Sequence, residues 1–289
     1  MKILFIGCGD IAQRTAPLLC YQDQLRDQHQ CFGLRRNTKS LPSSITPVTG
    51  DVTDQSQLQT VLAQGFDVLV ATLTPDSFTE EAYRSAYLQA AQSLKQALKA
   101  IAGKPPLVIW VSSTSVYGDA EGAWVNEDSP TEPHTFSGRI LLAAEETIQT
   151  FPGAKTVIRF SGIYGPGRSR MLTQVREGKG RPSQPELWSN RIHSEDCAGV
   201  IAHMIRLHQQ GNRLQPVYLA SDSEPVTQHD IRNWLAAQIG IELTEESVKK
   251  GPVRRCSNRN LLQSGYQFKY PTYKEGYYEL LKDLGFLFD

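Results

Sequence analysis

Short apolar runs alternate with stretches of helical period along most of this chain of 289 residues. Ile3–Ile6, Cys31–Leu34, Thr46–Val48, Val68–Thr72, Leu107–Val111 and Thr156–Arg159 read as strands. They are rich in β-branched residues, as parallel strands covered on both faces are. Between them the spacing predicts helices at Ile11–Tyr21, Gln55–Leu62, Thr79–Ile101 and Ser137–Thr150. The third opens on Thr79-Glu80-Glu81, a polar cap with acids in its first turn, and Gly103 with Pro105-Pro106 ends it. Strands alternating with helices imply right-handed crossovers. The expected fold is α/β, a Rossmann-type doubly wound parallel sheet.

The pattern changes after Gly165. Pro166–Trp188 is rich in loop residues, with one short helix near Met171–Arg176. Regularity resumes with a strand Arg191–His193, a helix Ser194–Leu207, a strand Val217–Ala220 and a helix Thr227–Ile239. Thr227 and Asp230 make a start like a capping box. The tail after Gly251 reads as mixed α/β. Residues 1–165, completed by 191–222, are therefore expected to form the Rossmann domain. Residues 166–190 and 223–289 are expected to form a small substrate-binding lobe.

Charge adds little. Thirty basic residues balance thirty acidic ones, so no global field favours nucleic acid or an anionic membrane. The five cysteines are scattered, without a C-x-x-C pair, which speaks against a zinc site and suits a reducing compartment. Met1–Gly7 reads as a strand rather than a signal-peptide core, and no apolar run approaches the roughly 20 residues needed to cross a bilayer. A cytoplasmic protein is expected.

The first strand leads directly into Gly7-Cys8-Gly9-Asp10-Ile11-Ala12, which opens the first helix. This is G-x-G-x-x-A in the setting where it binds a dinucleotide. Gly7 makes the turn, Gly9 admits the pyrophosphate, and Ala12 packs helix on strand. The phosphates meet the helix start at Asp10 and Ile11. The second strand ends Gly33-Leu34-Arg35-Arg36-Asn37, with no acid to bind a ribose 2′-hydroxyl. Arg35 and Arg36 suit a 2′-phosphate, so NADP is expected over NAD; the plainer reading is a solvated basic turn. Asp51 and Val52 follow the third strand and could hold an adenine amino group and ring face, though Asp51 reads equally well as a helix cap. Ala71 and Thr72 close the fourth strand, where the middle of the cofactor would lie.

Ser112–Gly118 follows the Leu107–Val111 strand, and hydroxyls at such a strand end face bound ligands in open α/β sheets. Arg168, Arg170, Arg176, Lys179, Arg181 and Arg191 outnumber Glu177 and Glu186 across the loop-rich segment. They suit phosphate or carboxylate recognition, or else form a solvated mobile loop. No Ser-His-Asp triad or metal-ligand cluster stands out.

Together these residues resemble the extended short-chain dehydrogenase/reductase superfamily, also called the NAD-dependent epimerase/dehydratase family. The glycine motif, Gly50-Asp51-Val52, Ser112–Gly118, Arg159–Gly167, Arg191–Asp196 and Val217–Ser221 fall in family order over nearly the whole chain. Ser112-Ser113-Thr114-Ser115-Val116-Tyr117-Gly118 and Tyr164-Gly165-Pro166-Gly167 are the most specific pieces. The resemblance implies that Ser113 hydrogen-bonds the reacting oxygen and that Ser161 joins the cofactor set. It also implies that Tyr164, Arg168, Arg191 and His193 face the substrate, where the family binds the nucleotide half of a nucleotide sugar; a lone His such as His193 also reads as a structural hydrogen-bonder. A homodimer through the helices Thr79–Ile101 and Ser137–Thr150 is implied as well.

Two departures stand out. The glycine motif is one residue shorter than the family's common form. The family's Tyr-x-x-x-Lys falls on Ser137 and Leu141, in a register set by Gly138-Arg139 and Leu142-Ala143-Ala144-Glu145. In the family the Tyr is the general acid/base, and the Lys lowers its pKa and binds the nicotinamide ribose. Ser137 is too short for the first role and Leu141 lacks the chemistry of the second. Hydride transfer to a carbonyl would need another proton donor. Tyr117 and Tyr164 are candidates, although each also reads as a packing aromatic. Two functions follow. One is an NADP-dependent oxidoreductase or epimerase-like enzyme acting on a phosphorylated or nucleotide-linked small molecule. The other is a non-catalytic NADP(H) sensor or scaffold.

Overall fold

Each of the six apolar runs forms a strand, and Val217–Ala220 adds a seventh. They are β1 (Lys2–Ile6), β2 (Gln30–Arg35), β3 (Thr46–Thr49), β4 (Val68–Ala71), β5 (Leu107–Ser113), β6 (Lys155–Phe160) and β7 (Val217–Ala220). The computed structural model describes residues 1–20, 29–101, 103–247 and 253–287. Tyr21, where the first predicted helix ends, and Gly251, where the tail begins, lie outside the described residues.

The seven strands form one sheet in the order β7-β6-β5-β4-β1-β2-β3, and the pairs β1–β2, β1–β4, β2–β3 and β4–β5 are parallel. Ile3 through Ile6 and Val68 through Val70 are fully buried, the unbroken burial of strands covered on both faces. The strand order reverses between β1 and β4. The carboxyl ends at that reversal open a crevice, the usual place for a ligand in such sheets.

Helix α1 spans Asp10–Cys20 and α2 spans Gln55–Leu62. Asp54 caps α2, accepting from the Gln57 backbone N at 3.0 Å. The long helix read over Thr79–Ile101 is Glu80–Tyr83, a π-helical stretch Arg84–Gln89, and α3 (Ala90–Lys99), one after the other. Helix α4 (Phe136–Gln149) is capped by Thr135, whose hydroxyl accepts from Gly138 N at 3.1 Å. Then follow α5 (Ser194–Gln209), α6 (Gln228–Ile239) and α7 (Tyr273–Asp283). Thr227 and Asp230 exchange cap bonds at the start of α6, as their spacing implies. Among the described residues no helix is long and apolar enough to cross a membrane.

The chain divides into two units: residues 1–116, 133–159 and 198–218, and residues 117–132, 160–197 and 219–289. These junctions differ from the expected boundaries at 165/166 and 222/223. Short pairings explain the difference. Gly162–Tyr164 pairs with Arg191–His193, and Trp124–Val125 pairs with Arg255–Cys256, drawing all four segments into the second unit.

The first unit packs Leu4, Ile6, Leu58, Leu69, Leu94, Trp110 and Ile148 into one core. Within it lies a buried polar group. Ser112 Oγ donates to Glu145 Oε1 at 2.5 Å, and Arg159 Nη2 donates to Glu145 Oε2 at 2.7 Å. The Arg159 and Glu145 side chains are 7% and 4% exposed. One carboxylate thus joins β5, α4 and β6. The second unit has its own core of Tyr164, Leu172, Val175, Ile231, Leu235, Tyr277 and Leu281. There the Asp196 carboxylate accepts from Tyr266 Oη at 2.8 Å, Lys269 N at 2.8 Å and Tyr270 N at 3.0 Å, fastening the tail to the start of α5.

Glu145→Ala strands a buried guanidinium and is expected to lower unfolding stability by about 3–5 kcal/mol. Glu145→Leu combined with Arg159→Met is expected to recover most of that loss. Urea denaturation of the wild type, Glu145→Ala and the double variant measures it.

Candidate functional site

The glycine turn after β1 is held from both sides. Gly7 N donates to the Leu34 carbonyl at 3.0 Å, and Thr72 Oγ1 donates to the Gly7 carbonyl at 2.7 Å. Gly7 has φ +76°, and a Cβ there would sit 2.8 Å from Leu73 Cδ2. Gly9 differs: a Cβ built on it meets nothing closer than the Gly7 carbonyl at 3.9 Å. The fold itself therefore needs Gly7, while Gly9 opens onto free space. Ala12 is fully buried and Ile11 nearly so, packing α1 onto the sheet. Asp10, at the helix start, is ion-paired with Arg14 Nε at 2.7 Å, which offsets its charge where an anion would approach.

This turn forms one wall of a cavity of about 340 Å³, and every residue of its lining belongs to the first unit. Gly7, Cys8 and Gly9 come from the turn, Arg35 and Arg36 from the end of β2, Asp51 and Val52 from beyond β3, and Thr72–Thr74 from beyond β4. Asp76 and Ala82 line it further along, with Ser85 and Ala86 in the π-helical stretch. Burial pushes the Cys8 thiol up to about 11, with Arg35 pulling the other way, so it is a neutral part of the wall. Arg35 Nη1 donates to the Cys8 carbonyl at 3.3 Å. Arg36 Nη2 donates to both Asp76 oxygens, at 2.7 and 2.9 Å. The Asp51 Oδ1 atom accepts from the Thr53 backbone N at 2.9 Å and hydroxyl at 2.7 Å, bracing a turn just before the true cap Asp54. Ala71 faces the core, and the strand-end wall starts one residue later, at Thr72.

At the end of β5, Ser113 is half-buried and its Oγ accepts from Ser115 N at 3.2 Å. Gly138 lets α4 begin tight against this turn, since a Cβ there would collide with the Ser115 carbonyl and lie 2.6 Å from Pro133 Cβ. Ser137, beside it, shares a hydrogen bond with Thr135 Oγ1 at 3.0 Å. Leu141 is buried at 4% exposure.

In the second unit, Tyr117 is buried. Tyr164 stacks on Tyr277 with centroids 4.3 Å apart and meets the His193 ring edge-on at 5.2 Å. Burial drives the Tyr164 phenol far above its ordinary pKa, and its hydroxyl has no hydrogen-bond partner among the described residues. Ser161 Oγ is likewise buried without one. Arg191 Nε donates to Ser189 Oγ at 2.6 Å, and Arg168 is exposed. Two of the basic side chains of this segment are ion-paired: Lys179 with Glu177 at 2.7 Å and Arg181 with Glu246 at 3.0 Å.

Two charged residues in these settings escaped the sequence reading. Asp76 lies in a polar loop, 40 positions from the Arg36 that it binds. Arg232 sits inside the periodic pattern of α6, yet it is buried at 3% exposure. Its hydrogen bonds go to neutral oxygens, those of Gln174, Lys179 and Gln228. Burial, with Arg181 and Arg191 nearby, pushes its guanidinium down to about 10. Among the described residues no group of three or more His, Cys, Asp or Glu side chains could hold a metal ion.

A sheet reversed at β1/β4, with a glycine turn in the crevice, defines a dinucleotide-binding fold. The chain belongs to the NAD-dependent epimerase/dehydratase family, whose model matches residues 20–219. A solved structure assigned to the NAD-dependent epimerases/dehydratases, from Methylobacillus flagellatus, is 33% identical with a TM-score of 0.80, covering 98% of each chain. UDP-glucuronic acid 4-epimerase from Bacillus cereus, solved with NAD, shares the fold at 20% identity and TM-score 0.79, over 98% of this chain and 99% of that one. Protein YeeZ of Escherichia coli K12 is 39% identical over 127 residues, so the match spans 44% of each chain.

Gly9→Ala is expected to leave the melting temperature near the wild-type value, because the added methyl comes no closer than an ordinary van der Waals contact to the Gly7 carbonyl, at 3.9 Å. It should weaken dinucleotide binding at least tenfold, about 1.4 kcal/mol. Calorimetric melting and a fluorescence titration read the two effects separately.

Asp222 provides a second test. It is 1% exposed, and burial holds its carboxyl well above the ordinary range, against the pull of the Glu224 backbone N–H and Arg191. Glu224 and Asp196 push in the same direction as burial. A carboxyl raised in the native state binds its proton more tightly there than in the unfolded chain. Stability therefore falls as pH rises from the unfolded value, near 3.9, through the raised native one. Asp222→Asn is expected to remove this fall and to raise the melting temperature at pH 8, by about 2–4 °C per kcal/mol regained. Melting curves from pH 4 to 8 check the slope.

Proposed function

We propose that the protein binds NADP(H) in the first-unit cavity. We further propose that it acts as an oxidoreductase or epimerase-like enzyme on a phosphorylated or nucleotide-linked small molecule. The observation that carries this reading is the cavity itself, with an open Gly9 at the start of α1 and two arginines at the end of β2. The residues fit the group. The pyrophosphate would take the space beside Gly9 at the helix start, Arg35 and Arg36 would hold a 2′-phosphate, and Val52 and Asp51 would border the adenine. The bound nicotinamide supplies a hydride. Ser113 would hold the reacting oxygen by hydrogen bond. In the second unit, Arg232 with Arg191 suits an anionic substrate group, since a buried guanidinium whose hydrogen bonds among the described residues go to neutral oxygens attracts a negative charge. The Bacillus cereus epimerase, solved with UDP-glucuronic acid and NAD, supports a nucleotide-linked substrate by analogy of fold.

A specific observation favours a second reading, an NADP(H) sensor or scaffold without catalysis. Ser137 and Leu141 occupy the positions read as the family's Tyr and Lys; one is engaged with Thr135 and the other is packed away from solvent.

Transfer of label from C4-deuterated NADPH into a panel of nucleotide sugars, with NADP present to oxidise them to the keto form that accepts the deuteride, decides between the two. Exchange with any member is expected for the enzyme and excludes the sensor. Thermal stabilisation by NADPH, about 2.7 kcal/mol at a hundredfold excess over Kd, without exchange or stabilisation by any sugar, overturns the enzyme reading.

A further inference from the structure

The Arg36–Asp76 pair bridges two walls of the cavity. Arg36 follows β2 and Asp76 follows β4, so the pair joins the loops beyond strands that lie on opposite sides of β1. Their side chains are 66% and 70% exposed, so the pair is held by its own charges rather than by packing. The arginine holds the Asp76 carboxyl below its ordinary range, so the carboxylate is ionised at any pH near neutrality. Arg35, the neighbouring cation, is turned toward the Cys8 carbonyl of the glycine turn. Arg36 is thus the arginine at the outer edge of the wall, and an acid of the same chain already occupies its Nη2 atom.

We propose that Asp76 is a specificity-determining residue that competes with the cofactor's 2′-phosphate for Arg36. The proposal rests on reading the cavity as a dinucleotide site. A phosphate arriving at Arg36 must displace the carboxylate or lie beside it, and two anions close together repel. A cofactor with a free 2′-hydroxyl brings no such charge and leaves the pair intact. Asp76 therefore tilts the site toward NAD(H), against the pull of the two arginines. Exposed ion pairs are weak, so the tilt is a matter of several-fold, and salt screens it. The residue lies beyond β4, far in sequence from the end of β2, where cofactor choice is ordinarily read.

The test titrates NADPH and NADH into the wild type, Asp76→Asn and Glu80→Gln at low salt. Glu80 pairs with Arg84 on the nearby helix and does not line the cavity, so its variant removes the same charge elsewhere. Asp76→Asn is expected to raise the preference for NADPH over NADH by about three- to tenfold, with NADH affinity within about twofold of wild type and the gain shrinking at high salt. Glu80→Gln is expected to leave the preference unchanged. An unchanged preference in Asp76→Asn, or an equal shift in Glu80→Gln, overturns the competition while the dinucleotide reading stands. Failure of the wild type to bind either cofactor overturns both.

Discussion

The tight turn at Gly7 controls the geometry of everything around the cavity. Its N–H is bonded to Leu34 at the end of β2, and its carbonyl to the Thr72 hydroxyl just past β4. Those strands flank β1, so one residue is pinned to both sides of the point where the sheet reverses direction. No side chain can share that position, because Leu73 closes over it and φ is positive. Given this turn, α1 has to start with its free N–H groups facing the crevice, and the loops beyond β2 and β4 have to converge over it. The contact between Arg36 and Asp76 is a consequence of that convergence.

What could be read directly from the chain was local. Strands β1, β4 and β5 are continuous apolar runs, and burial of both faces makes such runs recognisable without knowledge of their partners. The Gly7–Ala12 turn was legible for the same reason, since its strand, glycines and helix are contiguous. The second unit was harder to divide because it is tied by strands of two or three residues that pair across the chain. Trp124 meets Arg255 and Lys179 meets Thr244, and nothing in two residues announces a partner that far away. Arg232 was hidden differently. It sits on a helix whose period is satisfied by Ile231 and Leu235, so its burial follows from what packs over the helix.

Glu145 brings both limits together. On the sequence it is the first of two adjacent acids, Glu145-Glu146, on a helix. In the fold it is the centre of a buried group that includes a strand hydroxyl and an arginine from the next strand. A carboxylate in that position is tolerable only because both its charge and its lone pairs are satisfied. It holds the end of β5, where Ser113 sits, against the helix that carries Ser137 and Leu141.

That framework bears on how cofactor binding relates to chemistry. The cavity depends on the β1 turn and the loops after β2, β3 and β4. Proton transfer, in the family's manner, would depend on the start of α4. These are different parts of the first unit, so one can be kept while the other changes. At the start of α4 the packing is complete: Gly138 seats the helix against Ser115, Thr135 caps it, Ser137 bonds to the cap, and Leu141 is buried. A lysine at position 141 would pay desolvation for its charge unless a ligand compensated it, whereas leucine gains from the same burial. Leucine at 141 therefore suits the apolar surroundings of α4 and brings no charge to them. The Gly7 turn is untouched by that residue, and the cavity it organises keeps its glycines and both arginines.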